Sequence, residues 1–144
     1  TSDIGSSNDF LLKLISGSMP ACPKIHMGYI DVRDVAKAHI FSMTEEKTNG
    51  ERIIVSENEM FFAEVGKTLN EAGFKKSPTK ELPNFLVKIM SFFVGELKTL
   101  LSALDRKGDI DKTKAERFFN WEYISTEQSV TETAQQLQEM GLTK

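Results

Sequence analysis

The sequence predicts a helix-rich α/β fold with few short strands, on three observations. Most apolar residues recur at three- and four-residue intervals, the period of a helix with one buried face. One β-branched run, Arg52-Ile53-Ile54-Val55-Ser56, is apolar on both faces, as a central strand of a parallel sheet is. A helical pattern follows that run directly, and strand then helix is half of a βαβ unit.

Composition bounds the class. The chain has 144 residues, the size of one ordinary domain, with 40% hydrophobic and 27% charged residues, so a packed core is expected. Eighteen basic against 21 acidic residues give a net charge of −3, with no Lys/Arg stripe for a phosphate backbone, so no nucleic-acid partner is expected. A single cysteine, Cys22, excludes an internal disulfide and a CxxC zinc site; no metal site is expected, and a reducing, cytoplasmic location is. No apolar run reaches the roughly 18 residues of a membrane span, because Lys88, Glu96 and Lys98 interrupt the greasiest stretch. No membrane partner is expected. The opening Thr1-Ser2-Asp3-Ile4-Gly5-Ser6-Ser7-Asn8, without an initiator Met, reads as a loop cut from something longer.

Along the chain, Phe10, Leu11, Leu14 and Ile15 predict a helix over Asp9 to Ser16, capped by Asn8 or Ser7 and stopped at Gly17. Ser18 to Met27, with two of the four prolines, reads as a pocket-lining loop. Gly28-Tyr29-Ile30 is a short extended piece. Asp31 then caps a helix by accepting the Asp34 amide, and Val32, Val35, Ala36, His39, Ile40 and Met43 form its buried stripe. Thr48-Asn49-Gly50 turns the chain into the 52–56 strand. The helix from Phe61 to Ala72 buries Phe62, Val65, Leu69 and Ala72, and Gly73 stops it.

No second strand of that quality is evident, so the strand's neighbours are expected in residues outside this chain. Leu82 to Leu104 reads as a helix apolar on more than one face, carrying Phe85, Leu86, Ile89, Met90, Phe92, Phe93, Val94, Leu97, Leu100 and Leu101. Asp111 caps a short helix over Lys112 to Phe119, and Asn120 to Ile124 runs extended. Ser125 and Gln128 form a capping box for a last helix with Val130, Ala134, Leu137 and Met140, closed by Gly141.

The string Gly28-Tyr29-Ile30-Asp31-Val32-Arg33-Asp34-Val35-Ala36-Lys37-Ala38-His39-Ile40 resembles the Y-[IV]-D-V-[RD]-D-[VL]-A-x-A-H signature of extended short-chain dehydrogenases/reductases. Within them it is most similar to dihydroflavonol 4-reductases, cinnamoyl-CoA reductases and fungal NADPH-dependent aldehyde (methylglyoxal) reductases. Gly50 to Ser56 resembles their last nucleotide-sheet strand, Asp111 to Trp121 their "sKa…LGw" element, and Ser125 to Gly141 their terminal helix. Asn120 departs from the glycine of that element.

The resemblance implies the C-terminal part of a Rossmann-type NAD(P)-binding fold, with the substrate-binding helices. It implies a single C-terminal substrate-side domain over 1–144, in which 1–73 end the Rossmann part and 74–144 form a helical substrate-binding lobe. The N-terminal dinucleotide-binding half would be absent, and with it the G-x-x-G-x-x-G turn and the Y-x-x-x-K pair. Tyr29 is followed four residues on by Arg33 and Tyr123 by Glu127, so no catalytic residue is expected in this chain.

The cofactor implied is NADP, or NAD, held mostly by the absent half. Ser6 and Ser7 fall in the loop that approaches the nicotinamide ribose in the relatives, and Met27, Gly28 and Tyr29 fall in the substrate-pocket wall. His26 sits beside them as a candidate substrate contact. Ser7 is also a good helix cap.

The bland readings of the other residues are caps for Asp31 and Asp34, an ion pair for Arg33 and a hydrogen-bonded core imidazole for His39. Cys22 is read as an inert thiol, and Phe118, Phe119 and Trp121 as packing aromatics.

The function so implied is part of an NAD(P)H-dependent oxidoreductase that reduces an aldehyde, ketone or dihydroflavonol-like carbonyl, this chain forming the pocket side and being inactive alone. The alternatives are a stand-alone interaction module, with a homodimer through the apolar helix 82–104, and a fragment of a nucleotide-sugar epimerase or dehydratase.

Overall fold

The computed structural model describes residues 5–92 and 95–143, without the side chains at 96, 97 and 99. Of the residues expected in the greasy helix, Phe93 and Val94 lie outside the described residues, as does the side chain of Leu97. The elements in chain order are α1 (Ser6–Ser16), β1 (Cys22–Pro23), β2 (His26–Tyr29), α2 (Val32–Thr44), β3 (Asn58–Phe61), α3 (Phe62–Glu71), β4 (Glu81–Leu82), α4 (Asn84–Met90), α5 (Gly95–Leu100), α6 (Thr113–Phe118) and α7 (Thr126–Glu139). Helix dominates, and the strands are few and short, as the sequence predicts.

The main core lies among α1, α3 and α7. Both α1 and α3 pack on α7. Leu11, Leu14 and Ile15 of α1 meet Phe62, Val65 and Leu69 of α3 and Val130, Ala134 and Leu137 of α7, with Cys22 and Ile25 closing the layer. Leu14, Val65 and Leu69 are wholly buried, and each such side chain contributes about 1.5–3 kcal/mol. A second, smaller core joins Ala38, Ala115 and Phe119, with Phe41, Ile53, Val55 and Trp121 against it.

The strands form two separate pairs. β1 pairs with β4 in parallel, and β2 pairs with β3 antiparallel in the register His26–Phe61, Met27–Met60, Gly28–Glu59, Tyr29–Asn58. The Ser18 to Met27 segment therefore carries strand residues that its prolines and lack of period did not signal.

The 52–56 run is not a strand: it stays extended and joins no sheet among the described residues. A parallel strand needs partners on its edges, and sequence pattern alone cannot supply them. The strand that does precede α3 is β3.

Four helical expectations are also corrected. α1 begins at Ser6 behind Gly5, whose φ of 76° is open to glycine, so neither Asn8 nor Ser7 is the cap. In α2 the buried positions are Asp34 and Ala38, with Phe41 half-buried on the same side. The expected stripe is turned outward: Val32 is 76%, Ile40 65% and Met43 84% exposed, Ala36 and His39 are exposed, and only Val35 is half-buried. Periodicity found an apolar face, but α2 is held on its other side, by Ala38 and Phe41 in the smaller core and by Asp34, which is fully buried and accepts the Ile124 amide at 2.7 Å and Lys37 Nζ at 3.0 Å. His39 is accordingly no core imidazole; its Nδ1 meets the Val35 carbonyl at the surface.

The 82–104 stretch is not one helix but β4, α4, α5 and a 3-10 turn over Leu101–Ala103. At the end of α4 the Ser91 hydroxyl donates to the Lys88 carbonyl, the kind of local bond that competes with helix continuation. Finally, α6 starts after Lys112. Asp111 lies one residue before that cap, and its carboxylate accepts the Thr113 amide and hydroxyl.

Candidate functional site

The β2–β3 ribbon sorts the expected pocket residues by face, because directly paired residues point the same way and neighbours alternate. His26 and Gly28, opposite Phe61 and Glu59, share one face. Met27 and Tyr29, opposite Met60 and Asn58, share the other.

The first face is covered by the segment that follows the 3-10 turn. The Asp105 amide donates to the Lys24 carbonyl at 3.0 Å, and the Ile110 amide donates to Glu59 Oε1 at 3.0 Å. Lys112 Nζ then reaches the Glu57 carbonyl at 2.7 Å. Gly28 makes room for this strap: a Cβ there would collide with Ile110 Cδ1 and come within 2.9 Å of Ser56 Oγ.

Between ribbon and strap lies a cavity of about 260 Å³ lined by His26, Glu59, Phe61, Glu64, Lys107, Gly108 and Asp109. The His26 side chain is 6% exposed, its ring lies 4.7 Å from that of Phe61, and its Nδ1 stands 3.6 Å from Glu59 Oε2, too far for a hydrogen bond. That Nδ1 is buried with no partner. Glu64 turns one oxygen to the Phe61 amide at 2.6 Å, which fixes the entry into α3.

On the other face, Met27 is 49% exposed while Tyr29 leans into the main core. The Tyr29 hydroxyl is buried without a partner. Burial, then the nearby Cys22 and Glu64, raise its pKa well above the ordinary phenol value, so this tyrosine holds its proton. Ser56, buried, lies within reach of the Tyr29 and Asn58 carbonyls at 3.4 and 3.2 Å and fixes the ribbon's end.

Ser6 and Ser7 stand exposed in the first turn of α1 and do not line the His26 cavity. The structure thus brings His26 and Gly28 together, sets Met27 and Tyr29 behind them, and keeps the two serines apart. Glu59, Glu64, Lys107 and Asp109 were not singled out from the sequence. Glu59 is placed by the ribbon register, Glu64 by the first turn of α3, and Lys107 and Asp109 by the return of the strap, none of which a local pattern announces.

The signature helix is anchored at its start. Asp31 accepts the Arg33 amide, not that of Asp34, at 2.8 Å, and takes Arg33 Nε and Nη2 bidentately at 2.8 Å each. Arg33 Nη2 also reaches Glu132 of α7 at 2.7 Å. The Arg33 guanidinium therefore holds the Asp31 carboxyl well below the usual carboxylate range, and Arg33 is an ion-pair residue, as its bland reading has it. At α7 the Ser125 hydroxyl accepts the Gln128 amide at 3.2 Å, while the Gln128 side chain turns to Glu132 and leaves that half of the capping box unmade.

A second cavity, about 600 Å³, lies beside Lys112, Phe119, Trp121 and Tyr123, where Phe119 and Trp121 stack at 4.7 Å. Among the described residues no group of three or more His, Cys, Asp or Glu is placed to hold a metal ion, and no helix is long and apolar enough to cross a membrane.

No family model matches the sequence. Over 90 residues, 62% of its length, the chain is 34% identical to an uncharacterised oxidoreductase of Schizosaccharomyces pombe, of which it covers 26%. Over 115 residues, 80% of its length, it is 29% identical to the NADPH-dependent methylglyoxal reductase Gre2 of Saccharomyces cerevisiae, of which it covers 30%. The chain thus spans roughly a quarter to a third of the curated relatives that it matches. Its fold superimposes on the crystal structure of Gre2 from Candida albicans in complex with NADPH with a TM-score of 0.67, at 23% identity, over 96% of this chain and 38% of that one.

Proposed function

Because this chain has the fold and the sequence signature of the C-terminal portion of an extended short-chain dehydrogenase/reductase, we propose that it forms the substrate side of an NADPH-dependent carbonyl reductase. The observation that carries the proposal is the state of the signature helix and the run after it. Val32, Ile40 and Met43 present an apolar face outward from α2, and the β-branched Ile53 to Val55, with Ile54 41% exposed, pair with no strand among the described residues. An apolar helix face turned to solvent and a β-branched run without strand partners are what the last unit of a parallel sheet becomes without its neighbours.

On this reading the N-terminal dinucleotide-binding half covers both features, supplies the glycine-rich turn and carries the tyrosine–lysine pair. Residues 1–73 end the nucleotide-binding part, and 74–144 form the substrate lobe. Bound NADPH supplies the hydride that reduces the carbonyl carbon. This chain's residues shape the space around the substrate: Met27, Gly28 and Tyr29 in the ribbon that walls it, His26 beside Gly28 on the same face, and Ser6 and Ser7 toward the cofactor's ribose. Tyr29 is not the acid, since its hydroxyl is buried against the main core and burial makes its proton hard to give up. The substrate class is a small aldehyde or ketone, in line with the methylglyoxal named for the S. cerevisiae relative.

Fusion tests this. The 144-residue chain alone is expected to oxidise no NADPH when given methylglyoxal. Joined behind the dinucleotide-binding half of the S. cerevisiae relative, it is expected to turn the aldehyde over. Turnover by the chain alone overturns the proposal, and so does a folded, NADPH-binding fusion that reduces no aldehyde.

A second reading has one observation in its favour. Phe85 (63%), Ile89 (53%) and Phe92 (84%) are exposed at helical spacing on and just past α4, as at a self-association surface. Sedimentation decides it: a dimer that Phe85→Ser dissociates supports it, and a monomer at all concentrations removes it.

A further inference from the structure

The cavity under the strap has a chemistry that carbonyl reduction does not use. Three of its lining side chains are carboxylates, Glu59, Glu64 and Asp109, against one ammonium, Lys107. The carboxylates outnumber the cation, and the lining carries an excess of negative charge. Glu59 spends Oε1 on the Ile110 amide and Glu64 spends Oε2 on the Phe61 amide, which leaves Glu59 Oε2 and the second Glu64 oxygen without a hydrogen-bond partner here.

The imidazole supplies the independent observation. His26 is more than nine-tenths buried, lines this cavity, and has an Nδ1 that no group satisfies. A buried polar nitrogen left unpaired costs about 1–3 kcal/mol, so its environment is built for something that completes it. The nearest candidate, Glu59 Oε2 at 3.6 Å, stands beyond hydrogen-bond distance, so both atoms are left to a third group. The ring of Phe61 forms part of the same wall and presents a π surface to a cation. A metal ion is not that group, since among the described residues no three ligating side chains converge.

We propose that the His26–Glu59 cavity is a binding site for a primary ammonium group on a small molecule. The ammonium hydrogens bond Glu59 Oε2 and the imidazole, Asp109 and Glu64 supply the long-range field, and Phe61 packs on the attached carbon. A volume of about 260 Å³ suits a short alkyl amine. Because the Ile110 amide hangs on the other oxygen of Glu59, occupancy also fastens the strap to the ribbon.

The test titrates the 144-residue chain with butylammonium chloride while the His26 ring resonances are followed by NMR, with n-butanol and sodium chloride as matched controls. The expected result is a saturable shift with the amine alone, together with slower exchange of the Ile110 amide. Glu59→Gln keeps an oxygen for Ile110 and removes the charge; Asp109→Asn leaves the Ile110 bond untouched. Each is expected to weaken binding roughly tenfold or more, the change in K that 1.4 kcal/mol represents. A shift that never saturates, an equal response to butanol, or unchanged affinity in both variants overturns the proposal.

Discussion

Asp31 caps α2, grips Arg33 with both oxygens and, through Arg33, reaches Glu132 on α7. Asp31→Asn keeps the cap's shape but discards the charge, and is expected to cost about 1–2 kcal/mol in urea unfolding at pH 7. The sign of its pH dependence follows from the lowered folded pKa. The stabilisation is whole above the ordinary aspartate value of about 3.9 and is lost as pH falls below it, so the two proteins should converge in acid. A gap that stays constant from pH 7 to pH 3 contradicts this assignment.

Cys22 is the converse case. Burial, and then the Glu81 carboxylate, push its thiol up to about 11. Ellman's reagent at pH 8 is expected to react with it only after denaturation, since the thiolate is the nucleophile. At this scale the sequence was legible where chemistry is local: the Asp31 cap, the Arg33 ion pair and the inert cysteine follow from neighbours within two residues or from burial alone. His26 and Glu59 were not, because their meeting depends on a ribbon register set 33 positions apart in the chain.

Among the elements, α3 shows how close packing turns on one missing atom. A side chain on Gly66 would strike the Pro78 carbonyl, and backbone does not yield as a flexible side chain does. Gly66→Ala is expected to destabilise by about 1–3 kcal/mol in thermal or urea unfolding. Ile40→Gln on α2 makes the opposite case: with 65% of the residue already exposed, the isolated chain is expected to change by less than about 0.5 kcal/mol. In the fused reductase the same substitution should reduce folded yield, because there the face is proposed to be covered.

These two positions also mark what could be read in advance. The helices α3 and α7 were legible because their apolar spacing matches a core that the chain contains, except at their C-terminal ends, where Ala72 and Met140 lie past the last turn and are exposed. The α2 stripe instead faces solvent, and Ile53 and Val55 only flank the smaller cluster. Period specifies that a face is to be buried and leaves open what buries it. The break after α4 escaped for another reason, since a hydroxyl bond to a carbonyl three residues back has no hydrophobic signature.

For the whole molecule, the two apolar clusters are unequal partners. One unites α1, α3 and α7; the other rests on Ala38, Ala115 and Phe119 and holds the sole tryptophan, Trp121. Unequal clusters open at different free energies. Trp121 fluorescence is expected to report unfolding at a lower urea concentration than the helical circular dichroism signal. Coincident curves would mean one cooperative unit instead.

The Ile53 to Val55 run also bears on how the protein keeps in storage. A β-branched segment with no strand partner among the described residues, its Ile54 41% exposed, can pair with a similar segment in solution, and stacked copies of such a segment make the dry, self-propagating ladder of amyloid. Concentrated solutions of the 144-residue chain should therefore gain thioflavin fluorescence over days, and a proline or lysine at Ile54 should suppress it.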